Sequence, residues 1–526
     1  MAKEVHKVIE KKKLTQDEAG ILLLLSAFIF GAIFRILPAW MAGFPINDGG
    51  MFYTMIEDLR ANGYVIPAFT TYNGGNIPFA YPPLGFYLGA GLTDILNLPT
   101  PLKIIQFLPS ILNSLCIPVF YLFTLEILKD KRTAQIATLI FTLIPHLTNW
   151  WSMGGGLTRS LGIIFMLLAL TYIHKVLTGS NRRDVLAAII FSSLTILSHP
   201  EAPTYIVSVS ILMWLLLSRE VKKILYGLVI VIGVLLMISP WVFWVIHYHG
   251  TGPFLSASQV AGTFPLLGIF RIIDIQTITQ EPLFTLFGSV GFLGFLYLVT
   301  KKEWLIPGVF VVMALANPRT SHNAMTIPLA IAGAHFTIEV IRPIISSNLK
   351  QHFHGRSILI PAILVPIILL NLILTINEIA GIHVQQNQLS TMEWVKENTL
   401  PNSKFIVVTG LENGFCDPIN EWFPTLTEKQ SVTTPQGSEW LLGKNFQTIS
   451  AATQELQTCD LNCIQQQTED YKIDFDYIYL TQDAPNSNCY LEITPKDNRA
   501  LFLELDNSQN FELVFKSGTD GIYHKK

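Results

Sequence analysis

The sequence predicts a polytopic α-helical membrane protein with an α/β domain at its C-terminal end. Half of the 526 residues are hydrophobic and only 14% are charged, against about 25% in ordinary soluble proteins. Long uncharged runs fill residues 1–377, whereas residues 378–526 have the mixed composition of a soluble domain. This contrast excludes a single soluble enzyme. It predicts a transmembrane domain over 1–377 and an α/β domain over 378–526.

The spans are predicted from uninterrupted apolar segments, because a helix that crosses the hydrocarbon core needs about 20 mostly apolar residues. About eleven segments qualify, and the ninth is short. The first run is too long for a cleaved signal peptide, so we predict a retained anchor. The predicted spans are 19–39, 102–126, 133–149, 158–178, 184–199, 202–218, 223–247, 283–300, 303–316, 324–345 and 357–377.

Lysine and arginine residues predict the orientation, because cytoplasmic loops carry an excess of them. Five lysines precede the first span, which places the N-terminus in the cytoplasm. From there every second loop is basic, and the opposite loops hold few cations. This alternation favours an odd number of spans and puts residues 378–526 on the extracytoplasmic side. The basic loops contain Lys129, Lys131, Arg132, Lys175, Arg182, Arg183, Arg219, Lys222, Lys223, Lys301, Lys302, Arg342, Lys350 and Arg356.

Two predicted external loops, 41–101 and 247–282, are far longer than a connection between neighbouring helices requires. Both mix amphipathic apolar stretches with aromatic residues, Gly and Pro. We therefore predict short helices in these loops that lie at the membrane interface.

The C-terminal domain is predicted to be α/β from the alternation of its segments. Residues 391–400 read as a helix, and 405–409 and 475–480 read as strands because they are rich in β-branched and aromatic residues. Residues 511–515 and 521–524 flank a short SGTD turn, which predicts a terminal hairpin.

The cysteines agree with this orientation. Cys116 lies in a predicted span, and the other four lie in the C-terminal domain. An even number of cysteines in an oxidising compartment predicts disulfides. Three pairings exist, and sequence proximity favours Cys459–Cys463 with Cys416–Cys489. Free thiols and a zinc site are the alternatives, the latter disfavoured because no histidine lies at ligand spacing nearby.

Asp48 is the first candidate for chemistry. It lies in the run PINDGG, directly after the first span and on the predicted external side. Glycines beside a carboxylate leave room for a substrate to approach, and a carboxylate can act as a general base. The alternative is a solvated turn residue that caps a helix beginning near Met51.

The rest of this loop carries a family resemblance. Tyr53 and Glu57 follow Asp48 on an apparent helix, and Tyr81 opens the run YPPLGFY that leads back into apolar sequence. In this layout, residues 15–377 resemble the GT-C superfamily of membrane glycosyltransferases. That superfamily includes the oligosaccharyltransferase catalytic subunit, the protein O-mannosyltransferases and the aminoarabinose transferase of lipid A.

The resemblance implies a fold and an activity. It implies a hexosyl- or pentosyl-transferase that moves a sugar from a polyprenyl-phosphate lipid to an acceptor on the extracytoplasmic face, with inversion. The acceptor would be a glycan, a lipid or a protein. Asp48 becomes the catalytic carboxylate, and Tyr53, Glu57, Tyr81 and Glu201 become candidates for substrate binding. The net charge of −3 gives no basic surplus that would point to nucleic acid.

The departing phosphate of such a donor needs a cation. Arginine binds phosphate oxygens through a planar fork of N–H donors. Arg159, Arg271 and Arg319 lie in predicted external segments, although each would equally suit the phosphate of a membrane lipid. We predict that these arginines and His199 bind the donor phosphate.

The run His199-Pro200-Glu201 lies at the predicted outer mouth of the fifth and sixth spans. Ionisable groups at membrane depth are candidates for function, so Glu201 is assigned to sugar hydroxyls or to a metal. The alternative is a histidine bonded to the helix end beside a solvated glutamate.

A metal cofactor is not certain. In the oligosaccharyltransferase branch, acidic residues of the second external loop help to bind a divalent cation. Here that loop reads WWSMGGGLTRS and contains no acid. This departure favours a monophosphate donor, whereas Glu201 leaves a Mg or Mn site open as an alternative.

Aromatic residues support two further hypotheses. Trp150, Trp151, Trp241 and Trp244 suit an aromatic belt at the membrane interface better than sugar stacking. In the C-terminal domain, Trp422 and Trp440 lie among polar residues. They favour equally a platform for an acceptor and packing of this domain onto the membrane domain.

Two other classes of function compete with a transferase. A transporter or flippase of lipid-linked sugars needs ionisable groups inside the spans and often has paired halves. Here Arg35 is the main internal charge, and no repeat is visible. A non-catalytic scaffold with an external binding domain would not need the Asp48 loop.

The predicted orientation places Lys301 in the cytoplasm and His524 outside. Single cysteines introduced at these two positions should therefore react from opposite sides of sealed vesicles with a thiol reagent that does not cross membranes. Labelling of both positions from one side would contradict the orientation.

Overall fold

The computed structural model describes residues 15–179, 181–261, 273–317, 320–345, 359–485 and 494–526. Helices dominate the chain up to residue 380, and each predicted span overlaps at least one of them. The helices of this part are α1 (Gln16–Ala42), α2 (Gly50–Ala61), α3 (Leu84–Ile95), α4 (Leu102–Leu128), α5 (Lys131–Leu143), α6 (His146–Asn149), α7 (Gly156–Thr178), α8 (Arg182–Ser198), α9 (Ala202–Leu217), α10 (Val221–His249), α11 (Gly252–Ala261), α12 (Ile275–Thr279), α13 (Leu286–Thr300), α14 (Leu305–Ala316), α15 (Ser321–Phe336) and α16 (Leu359–Ala380).

The chain is a multi-pass membrane protein. Within the described ranges, six helices are long and apolar enough to cross a bilayer, and three shorter apolar helices accompany them. In the most apolar window, 72% of the residues of α7 are buried in the protein, against 22% for α10. α7 is therefore central, and α10 turns apolar side chains such as Leu236 and Phe243 outward, as a lipid-facing helix does. The total of about eleven spans stays a prediction.

The predicted span 133–149 is divided into α5 and α6. Ile144 has extended backbone angles, φ −69° and ψ 118°. Pro145 explains this break, because proline disfavours helical angles in the residue before it and has no N–H for the helix.

A buried cation joins three parts of the bundle. The Arg35 guanidinium in α1 donates from Nε to Asn113 Oδ1 at 3.1 Å and from Nη1 to the Gly31 carbonyl at 3.1 Å. Asn113 in turn donates to the Leu147 carbonyl at 2.5 Å and to Ser152 Oγ at 2.9 Å. The network ties α1 and α4 to the segment before α7. The main internal charge thus has structural partners, and it does not favour the transporter alternative.

The first long loop is a folded unit. It contains α2, a small antiparallel hairpin of β1 (Phe69–Thr70) and β2 (Ile77–Pro78), and α3. The second contains α11 and α12, with residues 262–272 outside the described part. Helices therefore occur in both loops, as the sequence predicts.

The C-terminal domain is α/β, and its sheet is confirmed. Five strands lie in the order β4-β3-β5-β7-β6; β3 is parallel to β4 and β5, whereas β7 is antiparallel to β5 and β6. The predicted terminal hairpin is β6–β7. The strands are β3 (Lys404–Val408), β4 (Gln430–Ser431), β5 (Tyr477–Thr481), β6 (Phe511–Ser517) and β7 (Asp520–Lys525). The helices are α17 (Gln386–Asn398), α18 (Pro418–Thr427), α19 (Phe446–Leu456), α20 (Leu461–Asp470) and α21 (Arg499–Asp506).

The structure contains the predicted Cys459–Cys463 disulfide. Cys116 is buried in α4 as a free thiol. The second favoured pair, Cys416–Cys489, includes a residue outside the described part, so that pairing stays a prediction.

The C-terminal domain is fixed on the first long loop. Asn73 has a positive φ of 48°, and its side-chain amide pairs with a backbone strand as a neighbouring strand would. The amide donates to the Ser431 carbonyl at 3.0 Å, and its oxygen accepts from the Ser431 N–H at 2.7 Å. This pairing covers the edge of β4, which would otherwise present unpaired backbone groups. The two domains therefore meet beside the loop that carries Asp48.

Candidate active site

Asp48 lies in the loop between α1 and α2 and is 7% exposed. Its Oδ1 accepts a hydrogen bond from the Gly155 N–H at 2.7 Å, and its Oδ2 lies 2.6 Å from Arg159 Nη2. Gly155 is the N-cap of α7, so the carboxylate also faces the positive end of a helix dipole. Asp48 is thus a buried, paired carboxylate rather than a solvated cap of α2.

Glycines make this approach geometrically feasible. The run Gly154-Gly155-Gly156 lies against the Asp48 loop, and a Cβ on Gly154 would collide with the Asp48 carbonyl. A Cβ on Gly155 would collide with Asp48 Oδ2 and with the Arg159 guanidinium. The loop of Asp48 and the start of α7 can therefore meet only because this turn has no side chains.

Arg159 lies in the first turn of α7 and is held from two further sides. Its Nη1 donates to the Trp150 carbonyl at 3.1 Å, and its guanidinium carbon lies 4.2 Å from the centre of the Trp150 ring. A cation over an indole face is attracted by the ring quadrupole. Trp150 thus makes a specific contact with Arg159, whereas the sequence predicts only a place in an interfacial belt.

Arg159 also lines a cavity between α7, α9 and α15. His199 and Glu201, two further residues that the sequence singles out, lie on its wall. The lining residues are Trp150, Trp151, Arg159, Ile163, His199, Glu201, Ala202, Tyr205, Thr320, Asn323 and Ala324. The structure therefore brings three predicted site residues to one space.

His199 connects this cavity to the first long loop. Its Nδ1 lies 3.0 Å from the Tyr81 hydroxyl, and its Nε2 lies 3.4 Å from Glu201 Oε2. Glu201 also accepts from Thr320 Oγ1 at 2.8 Å. Burial raises the pKa of Tyr81 far above its ordinary value, so this phenol stays neutral. The His199 imidazole therefore contacts side chains, while its backbone N–H caps α8 on the Thr195 carbonyl.

Solved structures with a similar fold include the Archaeoglobus fulgidus oligosaccharyltransferase in complex with zinc and sulfate. It has a TM-score of 0.51 and 14% identity, over 88% of this chain and 68% of that one. ArnT from Cupriavidus metallidurans in the apo state has a TM-score of 0.54 and 12% identity, over 96% of this chain and 97% of that one. ArnT bound to undecaprenyl phosphate has a TM-score of 0.48 and 12% identity over the same shares. No protein-family model and no curated protein matches the sequence.

The chain has a GT-C fold. The predicted resemblance is thus confirmed for the architecture by the matches at TM-scores of 0.51 and 0.54. Identities of 12–14% do not carry substrate or residue roles to this chain.

Other predicted site residues lie elsewhere in the GT-C fold. Glu57 pairs with Arg60 at 2.6 Å and is 37% exposed. The Tyr53 ring packs edge-on against Trp422, with the ring centres 6.0 Å apart. Neither side chain reaches the cavity, because α2 points both away from it toward solvent or the C-terminal domain. Arg271 and Arg319 lie outside the described residues, so their assignment stays a prediction.

Glu421 is the site neighbour that sequence reasoning missed. It lies on α18 of the C-terminal domain, is 5% exposed, and accepts the Gly49 N–H at 2.8 Å through Oε1. Burial raises the pKa of Glu421 above its ordinary value, and the negative charge of Asp48 raises it further. The run DPINEWFP has no signal that links it to a loop more than 370 positions earlier.

The tryptophans of the C-terminal domain pack between the two domains. Trp422 is fully buried, and its Nε1 donates to the Asn47 carbonyl at 3.1 Å. Trp440 is 6% exposed and lies edge-on to Tyr81. For these two rings, packing rather than an open platform is observed.

No group of three or more His, Cys, Asp or Glu side chains with suitable spacing occurs among the described residues. The two Asp48 oxygens face Gly155 and Arg159, and Glu201 is bonded to Thr320. The Arg159 guanidinium thus lies against the Asp48 carboxylate, at the place where a cation from the solvent would otherwise bind.

Substitution of Gly155 by alanine should destabilise the site without straining the backbone. Gly155 has φ −65° and ψ −13°, which alanine adopts freely. The added methyl must displace the Asp48–Arg159 pair, and overpacking of this kind costs about 1–3 kcal/mol. We expect a lower thermal midpoint in detergent. Gly91→Ala is the matched control, because a Cβ there meets open space in α3; an equal change in both variants would contradict the assignment.

Proposed function

We propose that this protein is a glycosyltransferase that moves a sugar from a polyprenyl-phosphate lipid to an acceptor on the extracytoplasmic face. The observation that carries the proposal is the buried Asp48–Arg159 pair, at 2.6 Å, whose arginine lines a cavity inside a GT-C fold. Proteins named oligosaccharyltransferase and ArnT share this fold. The pair supplies a carboxylate for the acceptor and a guanidinium for a phosphate.

The assigned chemistry is an inverting displacement. Asp48 accepts the proton of an acceptor hydroxyl or amine as its oxygen or nitrogen attacks the anomeric carbon. A new glycosidic bond forms on the face of the anomeric carbon opposite the leaving phosphate, and the bond between the anomeric carbon and the phosphate oxygen breaks. The electron pair leaves with the polyprenyl phosphate, whose charge Arg159 and His199 stabilise.

Arg159 can serve both charges. A guanidinium is planar and carries five N–H donors, so one arginine can bind a carboxylate and a phosphate at once. Its place in the first turn of a buried helix and its stack on Trp150 limit its motion. We therefore assign it to hold Asp48 and the leaving phosphate at a fixed separation.

Glu201 and Tyr81 are assigned to the sugar side of the cavity. Glu201 is anchored by Thr320, and Tyr81 reaches the cavity through His199. Carboxylate and hydroxyl groups are the partners that sugar hydroxyls need for hydrogen bonds. Tyr53 and Glu57 have no part in this proposal, because both lie away from the cavity.

Asp48→Asn should abolish most of the transfer activity. The amide keeps the size of the carboxylate but cannot accept the proton, so turnover should fall by about 10²–10⁴-fold. The assay is sugar transfer by the reconstituted protein from a panel of polyprenyl-phosphate donors to membrane extracts. Glu57→Gln in the same loop is the control and should keep activity. Full turnover by Asp48→Asn would defeat the assignment and move the base to Glu201.

Arg159→Ala should weaken binding of the lipid donor. Loss of a charge-assisted hydrogen bond corresponds to about 10–100-fold in affinity, measured as the dissociation constant for a polyprenyl phosphate. Arg60→Ala is the matched control, because Arg60 pairs with Glu57 and Asp94 away from the cavity. Unchanged affinity in Arg159→Ala would exclude a phosphate contact at this residue.

A further inference from the structure

One turn of α18 holds the backbone on both sides of Asp48. Glu421 accepts the Gly49 N–H at 2.8 Å, and Trp422 donates to the Asn47 carbonyl at 3.1 Å. Thr425 Oγ1 donates to the Gly50 carbonyl at 2.8 Å. Three hydrogen bonds from the C-terminal domain thus bind the two peptide groups that flank the Asp48 Cα and the Gly50–Met51 peptide that follows.

The hydrogen bond of Glu421 is made to the peptide that directly follows Asp48. The Gly49 N–H belongs to the Asp48–Gly49 peptide, so its direction fixes the plane next to the Asp48 Cα. Gly49 has a φ of 119°, outside the range that side-chain-bearing residues prefer, and it is the N-cap of α2 without a capping side chain of its own. Helix N-termini need an acceptor for their first N–H groups, and here Glu421 supplies it from another domain.

We propose that Glu421 is a positioning residue: by holding the Asp48–Gly49 peptide it sets the direction of the Asp48 carboxylate, so that the C-terminal domain completes the active site. The assignment rests on the proposed transfer at Asp48. Gly50 agrees with it, because a Cβ there would lie 2.6 Å from the Glu421 carbonyl oxygen, and the two segments touch along their backbones.

The charges around Glu421 predict a pH dependence. The charges of Asp48 and Arg159 in the membrane domain interact with the Glu421 carboxyl. The Tyr72 hydroxyl donates to the Glu421 backbone carbonyl at 2.8 Å and also interacts electrostatically with Glu439. Burial and then Asp48 raise the pKa of Glu421. A protonated Glu421 still accepts the Gly49 N–H through its carbonyl oxygen.

The sign follows from the raised pKa of Glu421 in the folded protein. Its contribution to docking is complete below the ordinary glutamate range and is lost as the pH rises through the raised pKa. Ionisation then places a second buried negative charge beside Asp48, with Arg159 shared between them. The wild-type protein should therefore lose turnover on the alkaline side.

The experiment compares Glu421→Ala and Glu421→Gln with Glu455→Ala, an exposed glutamate of the same domain. Glu421→Ala should lower kcat by about 100-fold, the cost of a misplacement of about 1 Å, with little change in the KM for the lipid donor. Glu421→Gln keeps an acceptor oxygen without the charge, so it should recover most of this loss and flatten the alkaline decline. Glu455→Ala should match the wild type.

Hydrogen exchange of the amides in residues 44–52 provides a readout that needs no substrate. Exchange should speed up at Gly49 in Glu421→Ala but not in Glu421→Gln or in the control. Wild-type kcat or wild-type exchange in Glu421→Ala overturns the proposal. Equal losses in the Ala and Gln variants, with an unchanged pH profile, also overturn it. A wild-type protein inactive with every donor counts against the proposed transfer alone, because the exchange test still decides the positioning role.

Discussion

The contact between Asp48 and the start of α7 is the interaction on which the rest of the site depends. Burying a carboxylate and a guanidinium together costs several kcal/mol per ion unless their remaining hydrogen bonds are satisfied. Here the Gly155 N–H, the Trp150 carbonyl and the Trp150 ring supply those partners. The run WWSMGGGLTRS therefore works as a unit. Its three glycines let the backbone approach the Asp48–Arg159 pair, and Trp150 holds the arginine.

The same constraint explains why the two domains fold against each other at this point. Gly49 and Gly50 follow Asp48 where the loop turns into α2, and they permit close approach but give the loop little rigidity of its own. Trp422 and Thr425 bind its carbonyls, and the Asn73 side chain pairs with the edge of β4. The C-terminal domain thereby restores the order that a glycine-rich loop lacks. The predicted boundary near residue 377 places Asp48 in one domain and the residues that hold its loop in the other.

Local sequence patterns predicted individual helices, strands and site residues, but they did not predict the contacts between residues far apart in the sequence. Apolar runs predicted the helices of the membrane domain. β-branched and aromatic runs predicted β3 and β5, and a short turn predicted the β6–β7 hairpin, whereas β4 was not predicted. Asp48, Arg159, His199 and Glu201 were found one at a time, from their residue type and their place at the ends of spans. Their contacts could not be derived, because they depend on how helices pack. The run that contains Glu421 was noted only for an acceptor platform or for packing between domains. The contact of Glu421 with the Asp48 loop was not predicted, since a single buried glutamate on an amphipathic helix has no local signal that separates it from a solvated one.

The absence of an acid in the second external loop acquires a physical meaning from Arg159. Where two carboxylates face each other, a divalent cation is the natural counter-ion. Where an arginine faces a carboxylate, as Arg159 faces Asp48, the guanidinium is the counter-ion, and its positive charge is fixed to the protein. Such a cation cannot be removed by a chelator, and its direction is set by α7 and Trp150 rather than by solvent. In the proposed transfer, the leaving phosphate would therefore meet a positive charge that is already oriented before the donor arrives, which is the arrangement that stabilises developing charge most effectively.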